Sequence, residues 1–178
     1  MTASLLTAMS TNSLLLFDFS ASSDWSEWAI QNDVVMGGKS SSDLSRSNEG
    51  HAVFTGDVSL SNNGGFASLR YQFAPRDIRG CKSAVFRVKG DGKQYQFRLK
   101  AGLNERASYL YTFNTSGEWQ TIEIPLNKME PYYRGNKLDQ PNFNANQVQE
   151  VRFLIGNGKA EKFRLEIDKL ALVRSQAS

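Results

Sequence analysis

Tyr95-Gln96-Phe97-Arg98-Leu99-Lys100 alternates apolar and polar residues without a break. Successive side chains of an extended strand point to opposite faces, so Tyr95, Phe97 and Leu99 turn toward a core while Gln96, Arg98 and Lys100 turn away from it. The same period of two recurs on either side. Ala67, Leu69, Tyr71 and Phe73 oppose Ser68, Arg70 and Gln72, and Ala84, Phe86 and Val88 oppose Arg87 and Lys89. Carried outward, the pattern predicts strands at 14–19, 52–60, 66–73, 84–89, 95–100, 108–113, 120–124, 151–155 and 163–172. Between them stand Gly90-Asp91-Gly92, Gly102-Leu103-Asn104, Asn114-Thr115-Ser116-Gly117 and Gly156-Asn157-Gly158, turn formers because Gly and Asn tolerate positive φ.

Helix is scarce, with short turns expected only at 75–79 and 144–150. No long helices alternate with the strands, which argues against a parallel α/β sheet. A single open sheet would leave one apolar face wet, so the expected architecture is all-β: two antiparallel sheets packed face to face as a jelly-roll sandwich. The 178-residue chain suits one such domain, expected over 14–174 between a flexible leader at 1–13 and a tail at 175–178. The stretch 125–146, with three prolines and Tyr132-Tyr133, breaks the rhythm and reads as an ordered excursion over one end.

Composition excludes several classes of function. With 40% apolar and 22% charged residues the chain is an ordinary globular one. Its net charge of +3 comes without any Lys/Arg block, so no nucleic-acid or membrane footprint is expected. Residues 1–16 hold no Lys or Arg, unlike a secretory or mitochondrial leader, and no apolar run reaches the length of a membrane span. A cytoplasmic protein is therefore expected. Cys81 stands alone, which removes an intramolecular disulfide and a cysteine zinc cluster. His51, the single histidine, sits among turn formers and reads as a solvated loop residue.

Chemistry-bearing residues are sparse. Asp33, Asp57, Asp91, Glu123, Glu166 and Asp168 are scattered, with no pair assignable to acid–base work. If the termini pair, Asp18 and Asp168 meet and permit a calcium site, although a surface carboxylate is the favoured explanation for each. Neither catalytic nor metal-ligating residues are assigned, and no cofactor is expected. Gly90-Asp91-Gly92 leads into a strand rather than a helix, which removes a dinucleotide fingerprint. Tyr109, Tyr111 and Phe113 alternate at core spacing, Trp119 reads as packed, and Trp25 and Trp28 suit either an end cap or a ligand rim.

Two kinds of candidate binding residue remain. The segments Asn32-Asp33-Val34-Val35-Met36-Gly37-Gly38-Lys39-Ser40 and Asn63-Gly64-Gly65-Phe66 each join paired glycines to local hydrogen-bonding residues and an apolar anchor, the makings of a tightly shaped loop. Neither has phosphate-loop spacing. The second candidate is a polar sheet face. If their strands lie side by side, Arg70, Arg87 and Arg98 share one outward face with Gln72 and Gln96, and forked guanidinium donors suit a carboxylate, a sugar or an acidic protein loop. A plain solvated face is the simpler explanation of the same residues.

Taken together, Asn32-Asp33-x-Val35-Met36-Gly37-Gly38-x-Ser40, Phe54-x-Gly56-x-Val58-Ser59-Leu60 and Asn63-x-Gly65-Phe66-x-Ser68-x-Arg70 resemble the complex I intermediate-associated protein 30 family. Gly90-Asp91-Gly92 with Tyr95 and Arg98, Pro125-Leu126, Arg134-Gly135 and Phe163-x-Leu165-x-Ile167 add to the likeness, which spans roughly 14–173. The resemblance implies a galactose-binding-like β-sandwich similar to certain carbohydrate-binding modules. It also implies a non-catalytic assembly or binding domain, since mitochondrial members act as chaperone-like factors for the membrane arm of respiratory complex I. Lacking an arginine-bearing leader, the chain looks like a free-standing, bacterial form. A protein partner is the expectation, and a carbohydrate or other small ligand is the alternative.

Overall fold

The computed structural model describes residues 12–174. In chain order its strands are β1 (Ser13–Asp18), β2 (Trp28–Ile30), β3 (Ser41–Arg46), β4 (Ala52–Val58), β5 (Ala67–Asp77), β6 (Cys81–Lys89), β7 (Gln94–Lys100), β8 (Ser108–Asn114), β9 (Trp119–Pro125), β10 (Glu130–Tyr133), β11 (Asn136–Lys137), β12 (Gln147–Ile155) and β13 (Glu161–Arg174). All pair antiparallel. One sheet has six strands in the order β3-β4-β13-β6-β9, with β1 continuing the line of β4 along β13; the other has seven, β11-β10-β8-β7-β12-β5-β2. Every strand read from alternation forms, with its ends displaced by a few residues.

Phe86 shows how the layers join. It projects from β6 and meets Phe97, Phe113 and Phe153 of the opposite sheet, ring centroids 5.0, 5.1 and 5.2 Å away. At one end Phe17 of β1 lies edge-on to Trp28 of β2 at 5.4 Å and to Tyr71 of β5 at 5.3 Å. Trp28 is thus core rather than rim, while half-buried Trp25 is covered by the Arg46 guanidinium 3.9 Å from its ring centroid. Burying large aromatic faces against each other is the main stabilising contribution in such a sandwich.

Both expected helices are corrections. Residues 75–77 continue β5, and residues 147–150 begin β12, which is paired with β5 through Gln147↔Asp77 and Val148↔Arg76. Pro75 is tolerated because the register shifts beside it, between Val148 and Glu150, where no ladder hydrogen bond is asked of it. The strands that alternation did not reveal have plain causes. β2 is only three residues long, and β3 is a polar edge strand whose one large apolar residue is Leu44. The 125–146 excursion contributes β10 and β11 to the seven-stranded sheet. Ser13 opens β1, whereas residues 1–11 of the expected leader and the tail at 175–178 lie outside the described residues.

A polar lock ties the sheets at the Gly90-Asp91-Gly92 turn. Asp91 accepts the Tyr95 hydroxyl at 2.9 Å through Oδ1 and the Arg164 N–H of the opposite sheet at 2.8 Å through Oδ2. Tyr95 is 1% exposed, and burial, followed by the adjacent Asp91 charge, raises its phenol above the ordinary value. It therefore stays a hydrogen-bond donor. Tyr95→Phe should lower stability by about 1–2 kcal/mol, read from urea unfolding midpoints at an unchanged slope.

Candidate functional site

Both paired-glycine loops converge on one carboxylate. The chain crosses between the sheets from β2 to β3 and returns from β4 to β5; residues 32–40 occupy the first crossing and residues 59–66 the second. Between them Asp33 is fully buried. Its Oδ1 accepts the Ser40 N–H at 2.9 Å, and Oδ2 accepts the Ser40 hydroxyl at 2.5 Å and the N–H groups of Gly65 at 2.6 Å and Phe66 at 3.2 Å. Burial raises the Asp33 carboxyl, but the Ser40 hydroxyl and these N–H groups outweigh it and hold the pKa below the usual carboxylate value.

The rest of the cluster follows from that anchor. Asn32 accepts the Ser42 hydroxyl at 2.9 Å and the Ser68 N–H at 3.2 Å through Oδ1. Asp33–Met36 forms a 3-10 turn closed by Gly37, and the Gly38 N–H donates to the Asp33 carbonyl at 2.9 Å. A Cβ on Gly38 would run into the Asp33 carboxyl, and one on Gly64 would lie 2.5 Å from Asp33 Oδ2, so these two positions require glycine for close approach. Asn63 adopts left-handed backbone within the second crossing. Asn32, Asp33, Met36, Gly37, Gly38, Ser40, Asn63, Gly65 and Phe66 thus form one knot at the edge of the sandwich.

The polar face divides differently from the expectation. Arg70 on β5 and Arg98 on β7 do lie in one sheet, but they are not adjacent: β12 runs between them, and Arg152 pairs with both. The cross-strand row is therefore Ala29, Arg70, Arg152, Arg98, Leu110, Glu130, with Glu130 held by Lys137 at 2.5 Å. The next row is Gln72, Glu150, Lys100. Arg87 belongs to the other sheet, which corrects its placement beside Arg70 and Arg98.

This face is not the open surface that its charges suggested. Glu150 points outward from the core yet its side chain is 3% exposed, and that of Arg152 is 17% exposed. Glu150 accepts the Gln72 amide at 2.8 Å and lies 3.6 Å from Arg152 Nη2. Arg152 donates to Gln31 Oε1 at 2.9 Å, while its buried Nε has no partner among the described residues. Arg98 spends Nε and Nη2 on the single acceptor Gln96 Oε1, at 3.0 and 2.7 Å. Burial, then the neighbouring Arg152 charge, lowers the Arg98 pKa to about 10 against the pull of Glu150 and Tyr132. For Arg152, burial and the Arg70 charge lower the pKa, while Glu150 raises it.

The six-stranded sheet has a polar cleft of its own, about 420 Å³, bounded by Arg46, Glu49, Lys89, Trp119, Arg164 and Glu166 among others. Arg87 lies over Trp119, 4.4 Å from the ring centroid, and 3.3 Å from Asp168. His51 is packed rather than solvated: it meets the Trp119 ring edge-on at 4.9 Å and sits 3.3 Å from Asp168. The strand termini do pair, Asp18 opposite Lys169. The Asp168 carboxylate, however, turns to Arg87 and His51, and no three His, Cys, Asp or Glu side chains gather as a metal site among the described residues.

Two residues central to the outward face, Arg152 in the arginine row and Glu150 in the next, escaped the sequence reading. Their signal was partial: Glu150 to Phe153 alternates polar and apolar, but Gln149-Glu150 breaks the period at the register shift, and a helix was expected up to residue 150.

A family model described as complex I intermediate-associated protein 30 matches residues 17–167. No curated protein matches the chain. Among solved structures, the family 11 carbohydrate-binding module of a cellulosomal cellulase of Clostridium thermocellum aligns with a TM-score of 0.70 at 17% identity, over 93% of this chain and 96% of that one. The same organism's module in complex with a β-1,3-1,4-mixed-linked tetrasaccharide gives 0.70 at 17%, over 94% and 98%. An agarase gives 0.61 at 16%, over 93% of this chain and 25% of its own. At such identities the likeness shows a shared sandwich fold.

Proposed function

Because the chain belongs to the complex I intermediate-associated protein 30 family, we propose that it is a non-enzymatic binding domain of the assembly-factor type, working through protein–protein contacts on the outer face of its seven-stranded sheet. The observation that carries this reading is the row Arg70, Arg152, Arg98. Like charges set directly opposite one another across strands are destabilising, so a solvated face has no physical reason to hold three guanidinium groups in line. A binding face does, because forked donors fix the orientation of what docks there.

The carbohydrate reading has the fold in its favour. Against it, Tyr132 is the one aromatic residue among the rows flanking the arginines, whereas sugar recognition relies on aromatic faces for stacking. Affinity capture from native extract tests the proposal, comparing the unaltered protein with Arg98→Ala/Arg152→Ala at matched folding by circular dichroism. Respiratory-complex subunits should be recovered by the former and reduced at least tenfold with the latter. Equal recovery, or none, overturns the proposal. Binding of a mixed-linked glucan in its place would establish the carbohydrate alternative.

A further inference from the structure

Within the arginine row, the unmet hydrogen-bonding capacity points to a ligand class. Arg70 has no hydrogen-bond or ion-pair acceptor among the described residues, Arg152 leaves a buried Nε unpartnered, and Arg98 leaves Nη1 without an acceptor. Glu150 is the carboxylate set beside the three guanidinium groups; Lys100 stands opposite it, and Glu130 beyond Leu110 is taken up by Lys137, so positive charge stays in excess on this face. Of these, Arg152 Nε is the one buried donor without an acceptor, and it and the uncompensated charge of the row are costly in the free protein. An arriving ligand with two carboxylates supplies acceptors to the free guanidinium donors and offsets the excess charge.

We propose that the row takes an acidic, extended segment of a partner protein, lying across the strands, with two carboxylates three residues apart. The spacing follows from the sheet. Arg70 and Arg98 stand two strand separations apart, roughly 10 Å at about 4.8 Å each. A polyproline-type segment rises about 3.1 Å per residue and returns to the same side every third residue, so residues i and i+3 place their carboxylates about 9 Å apart on one face. Arg70 and Arg98 each engage one carboxylate, and the Arg152 guanidinium, between them, adds its charge to both. Free phosphate offers one centre and cannot bridge that span.

This inference rests on the docking face named above, and its test needs no partner. Titration calorimetry on the purified chain uses four probes: an eight-residue Ser/Pro peptide with Glu at i and i+3, the same composition with the two Glu adjacent, the Gln version of the first, and inorganic phosphate. The i, i+3 peptide should bind at least tenfold tighter than the other three, weaken as salt rises, and lose that preference with Arg152→Met. Equal binding of the adjacent-Glu peptide overturns the spacing, and no binding of any peptide overturns the acidic class. Phosphate binding as tight as the peptide reassigns the site to free anions. If capture from extract depends on the arginines while every peptide fails, docking stands and the acidic class falls; the reverse result sinks the respiratory partner alone.

Discussion

Asp33→Asn is expected to lower unfolding stability by about 3–5 kcal/mol, because it leaves the backbone cradle of a buried carboxylate facing an amide donor. Four contacts converge on the two oxygens of Asp33, all of them from N–H or O–H donors. Whichever oxygen becomes an NH2 group, donor meets donor in a site closed to water. At roughly 2–4 °C per kcal/mol for a chain of this size, the melting temperature should fall by about 6–20 °C. The effect reaches beyond the local turn, since the same carboxylate ties together both crossings between the sheets.

A pH dependence follows with a definite sign. The folded Asp33 carboxyl titrates below its unfolded counterpart, which lies near 3.9. Its contribution is therefore complete above that unfolded value and is lost as pH falls through the lower, folded one. Below pH about 4 the unaltered protein should lose stability more steeply than Asp33→Asn, which has no proton to take up there. Urea unfolding of both proteins between pH 2 and 6 checks this; parallel curves would mean that Asp33 is not the acid-labile anchor.

Asp33 also shows where sequence reading stops. The alternation in β7 and β5 assigns faces correctly because the strand period is a local property of the chain. Which strands become neighbours is not local. Arg87, Arg70 and Arg98 follow the same pattern, yet β6 pairs with β9 and β13 while β7 pairs with β8 and β12, so one arginine leaves for the opposite sheet. The partners of Asp33 at Gly65 and Phe66 are more than thirty residues away in the chain, and nothing in the pattern around Asp33 marks it as buried. The motif could be recognised as a shaped loop, but not as one knot joining two loops. Polar β3 hid for a related reason: an edge strand has no second apolar neighbour to demand alternation.

Glu150→Gln and Arg98→Met should move stability in opposite directions, and the contrast isolates charge from packing. Glu150 is the buried counter-charge to the row, so neutralising it leaves Arg152 and its neighbours uncompensated at a cost of about 3–5 kcal/mol. The amide keeps the shape and can still accept from Gln72, which removes size as an explanation. Arg98→Met instead deletes a half-buried positive charge beside another, replacing it with an apolar chain of similar length. Taking one charge out of a like-charged row relieves repulsion, so the change is expected to be neutral or stabilising, although Gln96 loses the donors that now face it. Urea midpoints at pH 7 should therefore fall for the first variant and hold or rise for the second. A row whose removal leaves the fold as stable or more so is held for what it binds. A fall in both would make the arginines part of the packing and remove the argument that their repulsion is retained for binding.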